Sequence, residues 1–287
     1  MELAIGGLAL GAVYALVALG VILIFRATSV VNFAQGEILM IGAYAYTLTA
    51  ERTDLAVVQL AVALAAGSAA GLVCFGVTHF LLKGAGAIVL VIGTLALLVF
   101  AQSTARLIFT DNPRRADAWL VGDRDVQILG ATVAANSLTV LALTALAAVA
   151  LLVWLGATTY GRSVRAVAED QWRAALSGIH VRRMLAISWI IGGALAALGG
   201  VLLSPVTGVF PTMGAQIIFP AFIAALLGGF TRLDGALVGG LAIGLIQTYA
   251  VFYFGGVFRD VVMFSLLLLI LLVRPQGLFG GARVRTV

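Results

Sequence analysis

Apolar runs of about 20 residues recur from one end of this chain to the other, and they constrain its fold more than any other feature. A helix of about 20 residues spans the roughly 30 Å hydrocarbon core of a bilayer. Only 10% of the 287 residues are charged, whereas an ordinary soluble domain has roughly 25%. The sequence therefore predicts an all-α, polytopic integral membrane helical bundle, built as a single transmembrane domain over residues 1–287.

Charged or Gly/Pro-rich breaks divide the apolar runs into nine candidate spans. These are Leu3–Phe25, Ile38–Ala50, Leu55–Leu82, Ala87–Ala105, Leu138–Ala157, Met184–Leu203, Gln216–Phe230, Leu233–Phe252 and Val257–Val273. The second and seventh runs are short for a full crossing, so each is either a span or a partial, re-entrant segment. We expect eight or nine spans, with one or two broken or re-entrant helices.

Two segments interrupt the apolar pattern with polar residues, glycine and proline. They are RATSVVNFAQGE (26–37) and SPVTGVFPTMG (204–214). Each is either an ordinary loop or non-helical backbone that lines a cavity, as in membrane transporters. Glycines spaced four apart predict close helix crossings, and the pairs are Gly7 with Gly11, Gly67 with Gly71, Gly235 with Gly239, and Gly240 with Gly244. No inverted repeat is readable in the sequence.

The distribution of charge predicts an orientation. With nine crossings and an outside N-terminus, the inside segments hold eleven of the 17 basic residues but only four of the 12 acidic ones. An excess of Lys and Arg marks the cytoplasmic side. We therefore expect a multi-pass protein of a bacterial or archaeal cytoplasmic membrane, with its C-terminus in the cytoplasm. Because the basic residues lie in membrane loops, the high pI of about 9.9 does not indicate a nucleic-acid partner.

One polar stretch, Tyr160–Ile179, separates two apolar runs. Five charged residues near a bilayer centre would cost on the order of 15 kcal/mol, so this stretch cannot span. As one helix it is amphipathic, with opposite charges four residues apart at Arg165 and Glu169 and at Glu169 and Arg173. Its apolar stripe, at spacings of three and four, consists of Val164, Val167, Ala168, Trp172, Ala175 and Ile179. It is either a helix lying at the membrane interface or a docking helix for a soluble partner.

The residues expected of an enzyme are missing from the sequence. It shows no evident paired carboxylates, His-rich metal cluster or nucleophile with a base. The single cysteine, Cys74, offers neither a disulfide nor a cysteine metal site. No G-x-x-x-x-G-K-[ST] motif occurs, so we expect no ATP bound through a P-loop. The sequence predicts a transport protein that is not an enzyme and is energised by another subunit or by an ion gradient.

Three stretches of the chain carry a recognisable pattern. The first is NFAQGE at 32–37, preceded by GLALGAVYALVALG and followed by IGAY. The second is RAVAEDQWRAALSGI, and the third comprises LLGGFTRLDGALVGGLAIGLIQ and RPQGLFG near the C-terminus. These stretches resemble the permease subunits of ATP-binding cassette importers for branched-chain amino acids, in which the first is a signature of the type N-F-A-x-G-E and the second is similar to the cytoplasmic coupling segment. They follow the family's order along most of the chain.

The resemblance implies a heterodimer with a second, related permease, two cytoplasmic ATP-binding subunits and an external solute-binding protein. ATP and Mg²⁺ would be bound by the partner subunits, and this chain would hold no cofactor. Coupling to the ATPases is predicted for segment 159–183, and its candidate residues are Gly161, Arg165, Glu169, Asp170, Trp172 and Gly178. Candidates for the translocation path are Asn32, Gln35, Glu37 and Gln247.

The chain departs from the family pattern at several of these positions. Gln35 stands where His is frequent, and Gln247 where Glu is expected. The coupling segment carries Ala174, Ala175 and Gly178 but does not reproduce the broader motif Glu-Ala-Ala-x-x-x-Gly. Two other functions stay open: a permease for urea or short amides with the same architecture, and a stand-alone carrier or channel.

Overall fold

Helices make up nearly all of the computed structural model, which describes residues 1–114, 125–128, 131–230, 232–274 and 277–278. The helices are α1 (Glu2–Thr28), α2 (Gln35–Ala50), α3 (Ala56–Gly76), α4 (Ala87–Phe109), α5 (Ala135–Ala157), α6 (Thr159–Glu169), α7 (Gln171–Leu176), α8 (Val181–Thr207), α9 (Met213–Leu227), α10 (Leu233–Phe254) and α11 (Phe258–Val273). A π-helical turn, Val77–Leu81, extends α3.

The nine predicted spans coincide with α1 to α5 and α8 to α11, which confirms a polytopic helical bundle. Six helices in the described part of the chain are long and apolar enough to cross a membrane. The predicted short segments, α2 and α9, have 16 and 15 residues. Helix α11 is also short, with 16 residues, although only the second and seventh runs were predicted to be short; the predicted run, Val257–Val273, begins one residue earlier.

A two-stranded antiparallel hairpin between α4 and α5 was not predicted. Strand β1 (Asp125–Ile128) pairs with β2 (Ala131–Ala134), so that Asp125 lies opposite Ala134. The segment is rich in β-branched residues, which favour an extended backbone. It is a small addition to a fold that is otherwise helical.

The segments predicted to lie inside gather at one end of the bundle, here called the basic end. Gln171 Nε2, in α7, donates to the carbonyl of Ala27 near the end of α1 at 2.8 Å. The Arg182 guanidinium at the start of α8 stacks over Phe80 at the end of α3, 4.3 Å from the ring centroid. The ends of α1 and α3 and the start of α8 therefore meet there.

The opposite end is joined by residues predicted to lie outside. Arg114 Nη1 contacts Glu51 Oε1 at 3.1 Å, which links the segments that follow α4 and α2. The backbone of Arg114 also exchanges two 2.9 Å hydrogen bonds with Val209, which follows α8. The helices thus alternate in direction between the two ends.

The first interrupted segment re-enters the bundle. Helix α1 continues to Thr28, and a non-helical loop then leads to α2. At the start of α2, Gln35 Nε2 donates to Gly192 O at 2.8 Å and lies against Gly20. Gly20 is eight residues before the end of α1, or about 12 Å along the helix axis. Helix α2 therefore starts well inside the bundle, and the predicted broken helix is confirmed.

The second interrupted segment approaches from the opposite end. Helix α8 continues through Pro205 to Thr207, so the break is shorter than the predicted 204–214. Helix α9 starts at Met213, and a Cβ on Gly36 or on Gly214 would collide with the other residue's carbonyl oxygen. The first turns of α2 and α9 therefore cross with their backbones in contact.

Two groups of helices repeat the same packing in opposite directions. Helix α1 packs most extensively against α10, and α8 against α3. Gly11 of α1 meets Gly240 and Gly244, and Gly193 of α8 meets Gly67 in the same manner. Helices α1, α2 and α3 thus correspond to α8, α9 and α10, which run the opposite way. All four predicted glycine pairs lie at helix crossings, and the inverted repeat is visible only in the packing.

Candidate translocation and coupling sites

Asn32 and Gln35 hold the first re-entrant loop inside the bundle. Asn32 Nδ2 donates to Gln35 Oε1 at 3.1 Å, and Asn32 Oδ1 accepts from the Ala34 backbone N–H at 3.1 Å. Gln35 in turn bonds to the α8 backbone at Gly192. Both side chains are buried, and unpaired polar groups at membrane depth would be costly. The structure thus brings these two predicted path residues together as a bridge between α2 and α8.

Thr94 of α4 also supports this loop, and the sequence contains no sign of this role. The Phe33 backbone N–H donates to Thr94 Oγ1 at 3.3 Å, while Thr94 Oγ1 donates to Val91 O at 2.9 Å. Thr94 is fully buried. A threonine in an apolar helix commonly bonds to its own helix, so its contact with a loop 61 residues away in sequence has no local signature.

Glu37 faces a different part of the molecule. Its Oε1 accepts from Gln102 Nε2 of α4 at 2.9 Å, while its buried Oε2 has no partner among the described residues. The carboxyl group lies in the wall of a cavity of about 460 Å³ between α2, α3 and α4, whose other walls are almost entirely apolar. Glu37 is therefore the acidic group of this cavity and is separate from the Asn32 and Gln35 pair.

Gln247 belongs to a third cluster, near the opposite end of the bundle. Its side-chain amide lies 2.7 Å from Tyr14 Oη. When the amide oxygen faces Arg259, it accepts from Nε at 2.6 Å and from Nη2 at 3.0 Å, and the amide nitrogen faces Tyr14. This orientation satisfies both neighbours. Tyr14 and Arg259 were missed, since Tyr14 lies 233 positions from Gln247 in sequence and no local pattern predicts that Arg259, in the next helix, turns toward Gln247.

The four path candidates therefore occupy three places in the fold. Asn32 and Gln35 adjoin each other, whereas Glu37 and Gln247 lie in separate clusters. A path through all four in this protomer would have to cross the packed interior. Their role in translocation stays a prediction.

The predicted coupling segment consists of two helices, so the prediction of one continuous amphipathic helix is wrong. Asp170 lies between α6 and α7 with an extended backbone, φ −159° and ψ 107°. Its Oδ1 accepts from the Arg173 backbone N–H at 3.0 Å, and its other oxygen pairs with the Arg173 guanidinium at 3.2 Å. Aspartate favours this N-capping position because it satisfies a free helix N–H.

The break changes which side chains the segment exposes. Val164 and Val167 of α6 are buried as the stripe predicts, but Trp172, which the stripe also places in the interior, is 74% exposed. Leu176, which was not part of the stripe, is 73% exposed. Asp170 shifts the phase of α7, so that Ala174 is buried there instead. Among the described residues, neither predicted ion pair of Glu169 forms.

The remaining coupling candidates have different roles in the fold. Arg165 and Glu169 are exposed on α6. Gly161 is buried against α5, where a Cβ would collide with the backbone of Trp154. Gly178 follows α7 at φ +79°, a backbone conformation that favours glycine. Arg165, Glu169 and Trp172 are thus available to a partner, whereas Gly161 and Gly178 shape the backbone.

Charged residues line a cleft in the surface of this segment. Glu169, Asp170 and Arg173 line an open cleft of about 420 Å³ between α6 and α7. At the same end of the bundle, a hydrogen bond to Asp234 raises the pKa of the Arg232 guanidinium. No group of three or more His, Cys, Asp or Glu suited to a metal ion lies in the part of the chain that the structure describes.

Comparison with known proteins shows full-length similarity to one group. Residues 3–272 match the family model described as "Branched-chain amino acid transport system / permease component". The chain is 32% identical to the high-affinity branched-chain amino acid transport system permease protein LivH of Escherichia coli (strain K12), over 98% of this chain and 96% of the relative.

Two other relatives extend this similarity to more distant organisms. The high-affinity branched-chain amino acid transport system permease protein BraD of Pseudomonas aeruginosa is 32% identical, over 99% of this chain and 96% of its own length. The probable branched-chain amino acid transport permease protein LivH of Methanocaldococcus jannaschii is 28% identical, over 92% of this chain and 88% of its own length.

Proposed function

The chain belongs to the branched-chain amino acid transport system permease family, and we propose that it forms half of the path by which an ATP-binding cassette importer moves branched-chain amino acids. Members of this family are transport subunits that work with ATP-binding and solute-binding subunits. The observation that carries the proposal is the full-length similarity to relatives whose names state this solute class.

The proposed ATPase contact is the exposed surface of α6 and α7. Trp172 and Leu176 project from α7, and Glu169 flanks the cleft beside them. Tryptophan is enriched at the energetic centres of interfaces, and the exposed indole of Trp172 is available for such a contact. Partner ATPases, with their bound ATP and Mg²⁺, would close against this surface and drive the permease between its two open states.

The proposed orientation places the basic end in the cytoplasm. This end carries α6 and α7 and the contacts of Ala27 with Gln171 and of Arg182 with Phe80. An excess of basic residues favours the cytoplasmic side, where the ATPases would be found. The N-terminus then lies outside, and the external binding protein delivers solute to the end that holds Arg114 and Glu51.

The proposed second permease would complete the path. The buried path candidates in this protomer do not surround one continuous channel, and the inverted repeat of α1 to α3 and α8 to α10 suits a half-transporter that moves against a related partner. We propose a heterodimer with a second permease of the same family.

Isolation of the complex tests this function. The chain, expressed with its neighbouring genes and captured from native membranes, should bring down a second permease and two ATP-binding subunits. Reconstituted with the external binding protein, the complex should take up radiolabelled leucine in the presence of ATP and Mg²⁺.

Two outcomes would contradict the proposal. Leucine uptake by the chain alone, without ATP-binding subunits, would indicate a stand-alone carrier. Uptake of urea without uptake of leucine would still indicate an ATP-binding cassette importer, but the proposed solute class would be wrong.

A further inference from the structure

A groove between α9 and α11 combines charged and apolar walls. Its volume is about 510 Å³, within the range of small-molecule sites. Arg259 and Asp260 line it at the start of α11 and Gln216 lines it in α9, beside apolar walls that include Phe219, Met263 and Phe264. A cation, an anion and an apolar surface thus border one space.

The positive charge of Arg259 is held in place and left uncompensated. The Gln247 amide oxygen accepts two of its hydrogen bonds, and Gln247 is itself buried beside Tyr14. Gln247 is neutral, and among the described residues no carboxylate lies within ion-pairing distance of Arg259. A guanidinium has five N–H donors in a fixed fork, so donors remain for an anion after Gln247 has been satisfied.

The groove faces away from the interior of the protomer at membrane depth. Gln216 is exposed only two residues beyond Gly214, where α9 crosses α2. Arg259 reaches Gln247, seven residues before the end of α10, or about 10 Å along its axis. Polar and charged side chains at this depth are costly against lipid and usually face a water-filled cavity or a protein neighbour. In the heterodimer proposed above, such a face is expected to border the space between the two permeases.

We propose that this groove binds the zwitterionic head of an amino acid in the outer half of the path. Arg259 binds the α-carboxylate, for which a guanidinium has matching bidentate geometry. Asp260 accepts from the α-ammonium, and the aliphatic side chain packs against Phe219, Met263 and Phe264. The inference rests on the proposed function, since it assumes that amino acids pass this face.

The same chemistry separates amino acids from urea. Urea has neither a carboxylate for Arg259 nor an alkyl group for the apolar wall. A site that offers hydrogen-bond donors to one group disfavours a ligand that lacks this group, because the free donors of the half-buried Arg259 are then left without a partner. The groove therefore selects a carboxylate attached to an apolar side chain.

A cysteine-protection experiment tests the site in the intact complex. Cys74 is the chain's one cysteine, so Cys74→Ala with Phe264→Cys places a single thiol of this chain in the groove. Leucine should slow labelling of that thiol by a polar thiol reagent, whereas leucinamide, which lacks the carboxylate, should not. In Arg259→Gln, the leucine concentration that halves the labelling rate should be about tenfold higher, because a charge-assisted hydrogen-bonded pair is lost.

Two further variants separate binding from folding. Asp260→Asn removes the proposed acceptor of the α-ammonium while leaving Arg259 beside Gln247, and it should weaken protection by leucine in a complex that still assembles. Arg52→Gln removes an exposed arginine beyond α2 and should leave protection unchanged.

The outcomes distinguish this inference from the proposed function. Equal protection by leucine and leucinamide, or unchanged protection in Arg259→Gln, would overturn the carboxylate site while ATP-driven leucine uptake by the unmodified complex continued. If the unmodified complex took up no leucine, the proposed solute class would fail, and the premise of the site with it.

Discussion

The crossing of α2 and α9 at Gly36 and Gly214 can be tested by adding one methyl group. A Cβ on Gly36 would collide with the Gly214 carbonyl, and both residues belong to helix backbones that cannot move aside separately. Overpacking of this kind costs ~1–3 kcal/mol. We therefore expect Gly36→Ala to lower the free energy of unfolding by about that amount, even though alanine is the better helix former.

A matched control isolates the contact from helix propensity. Gly6 lies in α1, and a Cβ added to it would have open space on every side within 4 Å. Gly6→Ala should therefore be neutral or stabilising by up to ~1 kcal/mol. Gly214→Ala should repeat the loss seen for Gly36→Ala, because each Cβ meets the same crossing.

Reversible unfolding of the purified permease in SDS, followed by fluorescence of its four tryptophans, measures these differences. If Gly36→Ala were as stable as Gly6→Ala, the two re-entrant helices would not meet as described. ATP-driven leucine uptake by the same variants, measured in parallel, shows whether transport also depends on this crossing.

Three other variants probe separate contacts. Trp172→Ala removes a side chain that is 74% exposed, so the free energy of unfolding should change by under ~0.5 kcal/mol. The Kd for the ATP-binding subunits, measured on nanodisc-embedded permease, should rise about 30-fold, as for an interface hot spot. An unchanged Kd would show that Trp172 is not part of the docking surface. Gln102→Leu leaves the buried Glu37 carboxyl without its donor, and unfolding in SDS should show a loss of ~1–3 kcal/mol. Arg114→Ala breaks an exposed pair with Glu51 that is worth ~0–1 kcal/mol, and unfolding in high salt should show no difference from the unmodified chain.

The coupling segment shows how much of the structure a local sequence pattern can predict. Its charges excluded it from the bilayer, and its amphipathic stripe placed Val164 and Val167 correctly in the interior. The stripe failed beyond Asp170, because a side chain that caps a helix can also end the one before it. Exposure of Trp172 follows from that single residue.

For the two broken helices, the sequence predicted where the breaks occur but not which residues they contact. Asn, Gln, Gly and Pro within apolar runs were sufficient to locate both interruptions, since such residues are rare where backbone must stay helical in lipid. They contain no sign that Gly36 and Gly214 would touch, or that Thr94 would hold the loop.

By itself, the sequence determined that this chain is a helical membrane bundle of about nine segments, roughly where each segment lies, and which family it resembles. These properties depend on the transfer of each segment between water and lipid, which is a local property of composition. Tertiary structure alone decided the inverted repeat, the meeting of α2 with α9, and the position of Arg259 beside Gln247 and Tyr14. One of those contacts joins residues 233 positions apart, and they depend on the packing of glycine faces and on buried hydrogen bonds, which no local pattern records.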